Sequence, residues 1–150
     1  MINEQQIIAE LITAYWAELE TVQNYIANSI NLDGIRAEEV KKALAADIAA
    51  ELNHAQLIAK RIKIIGGKVP GSAAFKAVQL SLQPCKDSTD VLSVIKGVID
   101  AEESAINQYK KIITLCEGND YVTQDLCIKL LGDEEEHRRE FLGFLTEYNR

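Results

Sequence analysis

An internal repeat constrains this chain more than any other feature. Glu18 opens the run Glu-Leu-Glu-Thr-Val-Gln-Asn-Tyr, which closes at Tyr25, and Glu102 opens Glu-Glu-Ser-Ala-Ile-Asn-Gln-Tyr, which closes at Tyr109. Each Glu-x6-Tyr is followed by a Glu-x-x-His. Glu51, paired with His54, comes 33 residues after Glu18, and Glu134, paired with His137, comes 32 residues after Glu102. On a helix, a Glu and a His three apart sit one turn apart on one face. The repeat therefore reads as two helical hairpins, each offering one lone Glu and then a Glu–His pair. His54 and His137 are the only histidines in the chain, so a pair of solvated surface motifs is a poor explanation for both halves.

Hydrophobic spacing predicts four long helices and no strand. The first covers about 3–29, with Ile8, Leu11, Tyr15, Leu19, Val22 and Ile26 at helical intervals, and ends at the turn signal Asn31-Leu32-Asp33-Gly34. The second covers about 36–65 and stops at Gly66-Gly67, where glycine can take the left-handed cap conformation. The third starts after Asp87-Ser88, both good N-caps, and runs to Cys116. Gly118-Asn119-Asp120 separates it from the fourth, over about 121–148. The segment 68–86 holds both prolines, Pro70 and Pro84, and reads as a mostly extended connection. A helix of about 28 residues is about 42 Å long, and a connection of this length can span it. The short turns make antiparallel hairpins, and the long crossover makes the second and third helices parallel. The expected fold is an all-α four-helix bundle with one long crossover, a single domain over 1–150.

Helical phase selects one carboxylate from each acidic cluster. Glu18 shares a stripe with Leu11, Tyr15, Val22 and Tyr25, whereas Glu20 falls off it. Glu102 lies among Ile95, Val98, Ile99, Ala105, Ile106 and Tyr109, while Glu103 keeps company with Asp100, Asn107 and Lys110. Glu51 and His54 share the stripe of Leu44, Ile48, Ala55, Ile58 and Ile62, and Glu134 and His137 that of Cys127, Leu130, Leu131 and Phe141. Four ionised carboxylates in a core are costly without partners, and two divalent cations offset four negative charges. The donor set is oxygen-rich with two imidazoles, which suits iron or manganese better than a closed tetrahedral zinc site. Glu51 and Glu134, one turn from the histidines, are the expected bridging carboxylates. Glu18 and Glu102 are the expected terminal ones. Tyr25 and Tyr109 read first as core aromatics whose hydroxyls bond a carboxylate. The sharper reading makes them orienting groups, with Tyr25 also an electron donor.

Other features narrow the setting. A net charge of −7 argues against nucleic acid as a partner. Cys85, Cys116 and Cys127 are an odd set without Cys-x-x-Cys spacing, which fits a reducing compartment. Cys127 reads as a small core residue and Cys116 as too far along its helix to reach the centre. Lys60-Arg61 and Arg138-Arg139 read as solvated or interfacial charges. No apolar run reaches membrane-spanning length, and the polar first ten residues show no signal-peptide pattern. The expectation is a cytoplasmic protein.

A Glu from each of two helices plus a Glu-x-x-His from each of the other two is the ligand pattern of di-iron carboxylate bundles. Over essentially its whole length the chain resembles bacterioferritin and its relatives in the ferritin-like superfamily. Glu18, Glu51, His54, Glu102, Glu134 and His137 match the family's six ligand positions. The resemblance implies two iron ions, with manganese or zinc as substitutes, and a ferroxidase that oxidises Fe(II) with dioxygen or hydrogen peroxide. It also implies storage or detoxification in a homo-oligomeric shell. Two departures matter. Leu52 stands where bacterioferritins carry the haem-ligating Met, so haem bound in that way is not expected. The sequence reaches Arg150 where the fourth helix should end, without the short fifth helix of the 24-subunit ferritins, which leaves a dimer, a 12-mer and a 24-mer all open. The alternative function is a non-storing, rubrerythrin-like di-iron peroxidase or oxidase.

Overall fold

The computed structural model describes residues 4–149. Its four long helices are α1 (Glu4–Asn31), α2 (Glu38–Ile64), α3 (Val91–Cys116) and α4 (Tyr121–Tyr148), with no strand among the described residues. Asn3, the expected start of the first helix, lies outside them, as does Arg150. None of these helices is long and apolar enough to cross a membrane.

Turn chemistry explains the helix ends. At the end of α2, Gly67 N–H donates to Ile62 O (2.8 Å) and Gly66 N–H to Lys63 O (3.1 Å). Gly66 sits at φ 93°, the left-handed conformation that this double-bonded cap requires. The second helix starts at Glu38 rather than residue 36, because Ile35–Ala37 forms a tighter 3-10 turn first. The third starts at Val91 and is capped by Asp90, whose carboxylate accepts from Ser93 N–H (3.1 Å) and Ser93 Oγ (2.7 Å). The caps expected from sequence, Asp87 and Ser88, are displaced because Asp87 instead closes a turn onto Thr89 N–H (2.9 Å). Asp120 caps α4 through Thr123 N–H (2.9 Å).

The core is split in two, and the split reveals the topology. One apolar cluster joins Tyr25 and Leu32 of the α1 end to Val40 and Leu44 early in α2, Val91 and Ile95 early in α3, and Phe141 late in α4. The other joins Ile7 and Leu11 early in α1 to Ile58 and Ile62 late in α2, Ile112 and Cys116 late in α3, and Cys127 and Leu130 early in α4. Thus α1 runs parallel to α4 and α2 parallel to α3, as a single crossover demands. Packing is concentrated within the α1–α2 and α3–α4 hairpins, and the hairpins meet through α1–α3 and α2–α4. Glu18, Glu51, His54, Glu102 and Glu134 are buried in the layer between the clusters.

The crossover is not a plain extended strap. It contains 3-10 turns at Ser72–Ala74 and Leu80–Leu82 and is tied to α1 by polar side chains. Glu20 is buried, with its carboxylate accepting from Val78 N–H (2.9 Å) and Gln79 N–H (2.8 Å). This corrects the reading of Glu20 as lying off the buried face: it is turned away from the bundle centre but covered by the crossover. Asn28 Nδ2 donates to Leu82 O (2.8 Å), and Asn24 Nδ2 to Gln79 Oε1 (3.1 Å). The buried face of α1 is wider and more polar than the apolar stripe expected of it. Thr21, Asn24 and Asn28 are buried, while Ile26 is 47% exposed. On α3 the crossover approaches so closely that a Cβ at Gly97 would stand 2.2 Å from Ser81 O. The obstacle is backbone, so Gly97→Ala is expected to lower stability by about 1–3 kcal/mol, measured by thermal or urea unfolding. An unchanged midpoint would show that the crossover yields freely.

Candidate metal centre

The lone glutamates come from the middles of α1 and α3, and the Glu–His pairs from α2 and α4. Each helix carries its donors on the stripe that its apolar neighbours turn inward. Ligand atoms fall into two groups, each within 4.8 Å of one another: Glu18, Glu51, His54 and Glu134 in one, and Glu51, Glu102, Glu134 and His137 in the other. Glu51 and Glu134 belong to both. All six sequence-selected residues are therefore brought together, and the two carboxylates expected to bridge are the two that the groups share. The outward reading of Glu103 also agrees with its exposed position.

Protein partners alone leave this layer unsatisfied. Glu18 Oε2, Glu51 Oε2, Glu102 Oε2, Glu134 Oε1 and His54 Nδ1 are buried with no hydrogen-bond partner. His54 Nδ1 lies 2.9 Å from Glu134 Oε1, yet the two are not aligned for a hydrogen bond. Buried polar atoms in native proteins are nearly always partnered. Five orphans converging from four helices describe a place that cations fit, with carboxylate oxygens and one imidazole nitrogen per group as donors.

The outward faces of the histidines are held by aspartates that sequence reasoning passed over. His54 Nε2 is 2.9 Å from Asp133 Oδ2, which leaves Nδ1 as the nitrogen facing the carboxylates. His137 directs Nδ1 to Glu51 Oε1 at 2.9 Å, with Nε2 3.6 Å from Asp47 Oδ1. The Asp133 contact is of the kind that fixes the tautomer and ring orientation of a ligating His, whereas Asp47 stands at ion-pair distance only. The signal was present: Asp133 precedes Glu134, and Asp47 lies one helical turn before Glu51. Tyr25 donates to Glu102 Oε1, and Tyr109 donates to Glu18 Oε1 at 2.7 Å.

Crowding sets the protonation. Burial first, then Glu18 and the neighbouring carboxylates, holds Glu51 well above its ordinary range. Burial likewise raises Glu102, with Glu134 adding to it. Burial pushes Glu134 up, but the nearby Glu102 carboxyl and the His137 and His54 imidazoles outweigh it and draw Glu134 low. For His54 burial favours the neutral ring, but Glu134 and Glu18 overcome it and raise the imidazole to about 10. His137 is raised by Glu134 and Asp47 against its own burial.

Two other sequence readings also meet the structure. Cys116 and Cys127 are buried among apolar neighbours, and burial raises their thiols to about 11 and about 12, so both stay protonated. Of its two expected settings Arg61 takes the interfacial one: it donates to Thr123 Oγ1 (2.8 Å) and Asp120 Oδ1 (3.0 Å), tying α2 to the start of α4.

A family description, the ferritin-like domain, matches residues 8–150. The chain belongs to the ferritin-like domain family. Its relatives fall on both the bacterioferritin and the starvation-protein sides of that family. This ferritin-like chain is 27% identical to the DNA protection during starvation protein of Pyrococcus furiosus, over 97% of its own length and 80% of the relative's. It is 26% identical to a bacterioferritin of Desulfovibrio desulfuricans, over 90% and 72% of the two lengths. Among solved structures, it superposes with a TM-score of 0.85 and 26% identity on a bacterioferritin-related protein of Bacteroides fragilis described as a dodecameric thioferritin. That match covers 99% of this chain and 89% of the other.

Proposed function

We propose that this chain is a ferroxidase that binds two Fe(II) ions as substrate between its hairpins and oxidises them with dioxygen or hydrogen peroxide. One observation carries the proposal: two four-residue donor groups overlap at Glu51 and Glu134, and their free atoms have no partner within the protein. Glu18 and His54 would hold one ion and Glu102 and His137 the other, with Glu51 and Glu134 shared. Each Fe(II) gives one electron, so a pair reduces dioxygen to peroxide with uptake of two protons, or peroxide to two waters. The residues' own task is to exchange protons for cations. His54 Nδ1 and the carboxyls of Glu51 and Glu102 must release protons as ions enter. Mn(II) or Zn(II) would occupy the same donors without being oxidised in this way.

We further propose a homo-oligomeric shell that stores or detoxifies the product, supported by the similarity to a dodecameric relative. Anaerobic Fe(II) addition followed by air, with assembly mass from light scattering and iron counted per chain, tests both parts. A large assembly retaining many irons per chain is expected. Two or fewer irons on a dimer with peroxide-dependent turnover would instead establish the non-storing alternative. The absence of any accelerated Fe(II) oxidation would remove the ferroxidase reading altogether.

A further inference from the structure

The two tyrosines of the repeat are exchanged between hairpins. Tyr25 of α1 donates to Glu102 Oε1 of α3, and Tyr109 of α3 donates to Glu18 Oε1 of α1. Both rings are fully buried, at 0% and 1% exposure, so neither hydroxyl has bulk water as an alternative partner. Each terminal carboxylate is consequently gripped by one oxygen, while its other oxygen, Oε2, is buried without a hydrogen-bond partner. Tyr25 and Tyr109 do not grip Glu51 or Glu134, the shared carboxylates.

A carboxylate can bind a cation through one oxygen or chelate through both. Each donor group brings four residues together; were each to bind through a single atom, positions would stay open in the about six-fold shell of an oxygen-liganded ion. A terminal Glu free to turn could swing its second oxygen in and fill a position that the oxidant needs. We infer that Tyr25 and Tyr109 are positioning residues that hold Glu102 and Glu18 to one-oxygen binding and so keep each ion open to an external ligand. The inference rests on the metal-centre reading above. It also accounts for the symmetry: each half of the repeat guards the terminal ligand of the other half, so the two halves must dock before either donor set is aimed.

Co(II) tests this without turnover, because its visible absorption weakens as coordination number rises. Wild type, Tyr25→Phe and Tyr109→Phe are titrated with Co(II) and then with azide as a small external ligand, with helix content followed by circular dichroism. All three proteins are expected to bind two Co(II) per chain. Each variant should show weaker visible bands and an azide affinity lower by about tenfold, the scale on which partners of metal ligands act. Wild-type bands and azide affinity in both variants would overturn the inference. So would loss of Co(II) from a variant that keeps its helices, since the hydroxyl would then serve only to build the site. Failure of the wild type itself to bind Co(II) would overturn the metal-centre reading, and this inference with it.

Discussion

Glu51→Gln is expected to cut Fe(II) oxidation by at least about 100-fold, because replacing even an outer partner of a metal ligand costs about 10–100-fold and Glu51 serves both donor groups. The same change is expected to raise the melting temperature of the metal-free protein. Glu51 is 1% exposed and sits beside Glu18, Glu134 and Glu102, which together with burial hold its carboxyl well above the ordinary range. In the unfolded chain at neutral pH that carboxyl ionises freely, so the folded state bears the cost of keeping it protonated. Gln keeps the shape, removes that cost and brings an N–H donor toward oxygens that have no partner. Each kcal/mol regained shifts the midpoint by about 2–4 °C in a domain of this size. Calorimetry of the metal-free variant and stopped-flow oxidation give the two readouts. Oxidation within a fewfold of wild type would remove Glu51 from the centre, and a lower metal-free midpoint would show that the carboxyl stabilises the fold.

The second large effect is an opposite pH dependence with and without metal. His54 is raised from 6.5 to about 10. Its contribution to stability is complete below its unfolded value and is lost as pH climbs through the folded one. Glu51 and Glu102 are raised from 4.5, so each costs stability increasingly as pH rises above the unfolded value. Glu134 is lowered and contributes stability that is complete above its unfolded value and is lost as pH falls below it. Between pH 6.5 and 9 the metal-free protein should therefore become less stable as pH rises. Zn(II), a redox-silent occupant, binds the deprotonated donors and so binds more tightly in the same direction. The gain in melting temperature from Zn(II) should widen steadily from pH 6.5 to 9, with protons released on binding and detected by calorimetry in buffers of different ionisation enthalpy. A gain that is flat or shrinks with pH would show that cations do not displace these protons.

How much of this was legible in the chain varies by residue. The six candidate donors were legible because covalent spacing on a helix is nearly a geometric fact. A Glu and a His three residues apart share a face in any helix, and a repeat of the same spacing implies equivalent faces. Gly66 was legible for the same local reason. Glu20 was not, because its carboxylate bonds backbone amides of Val78 and Gln79, 58 and 59 residues away, and no periodicity within α1 reveals a crossover lying on it. The cap at Asp90 was missed because Asp87, Ser88 and Asp90 are all chemically able to cap, and the turn onto Thr89 decides between them.

The chain by itself determined four helices, two hairpins, one crossover, and the identity of four carboxylates and two imidazoles that turn inward, because these follow from local spacing and from the cost of burying charge. Only the tertiary structure decided which nitrogen of His54 faces the carboxylates, because Asp133 takes the other. It also decided that each tyrosine grips the opposite hairpin's glutamate, 77 and 91 residues away in sequence. Those outcomes depend on how two helical hairpins dock, and docking is set by packing between them rather than by the period within either.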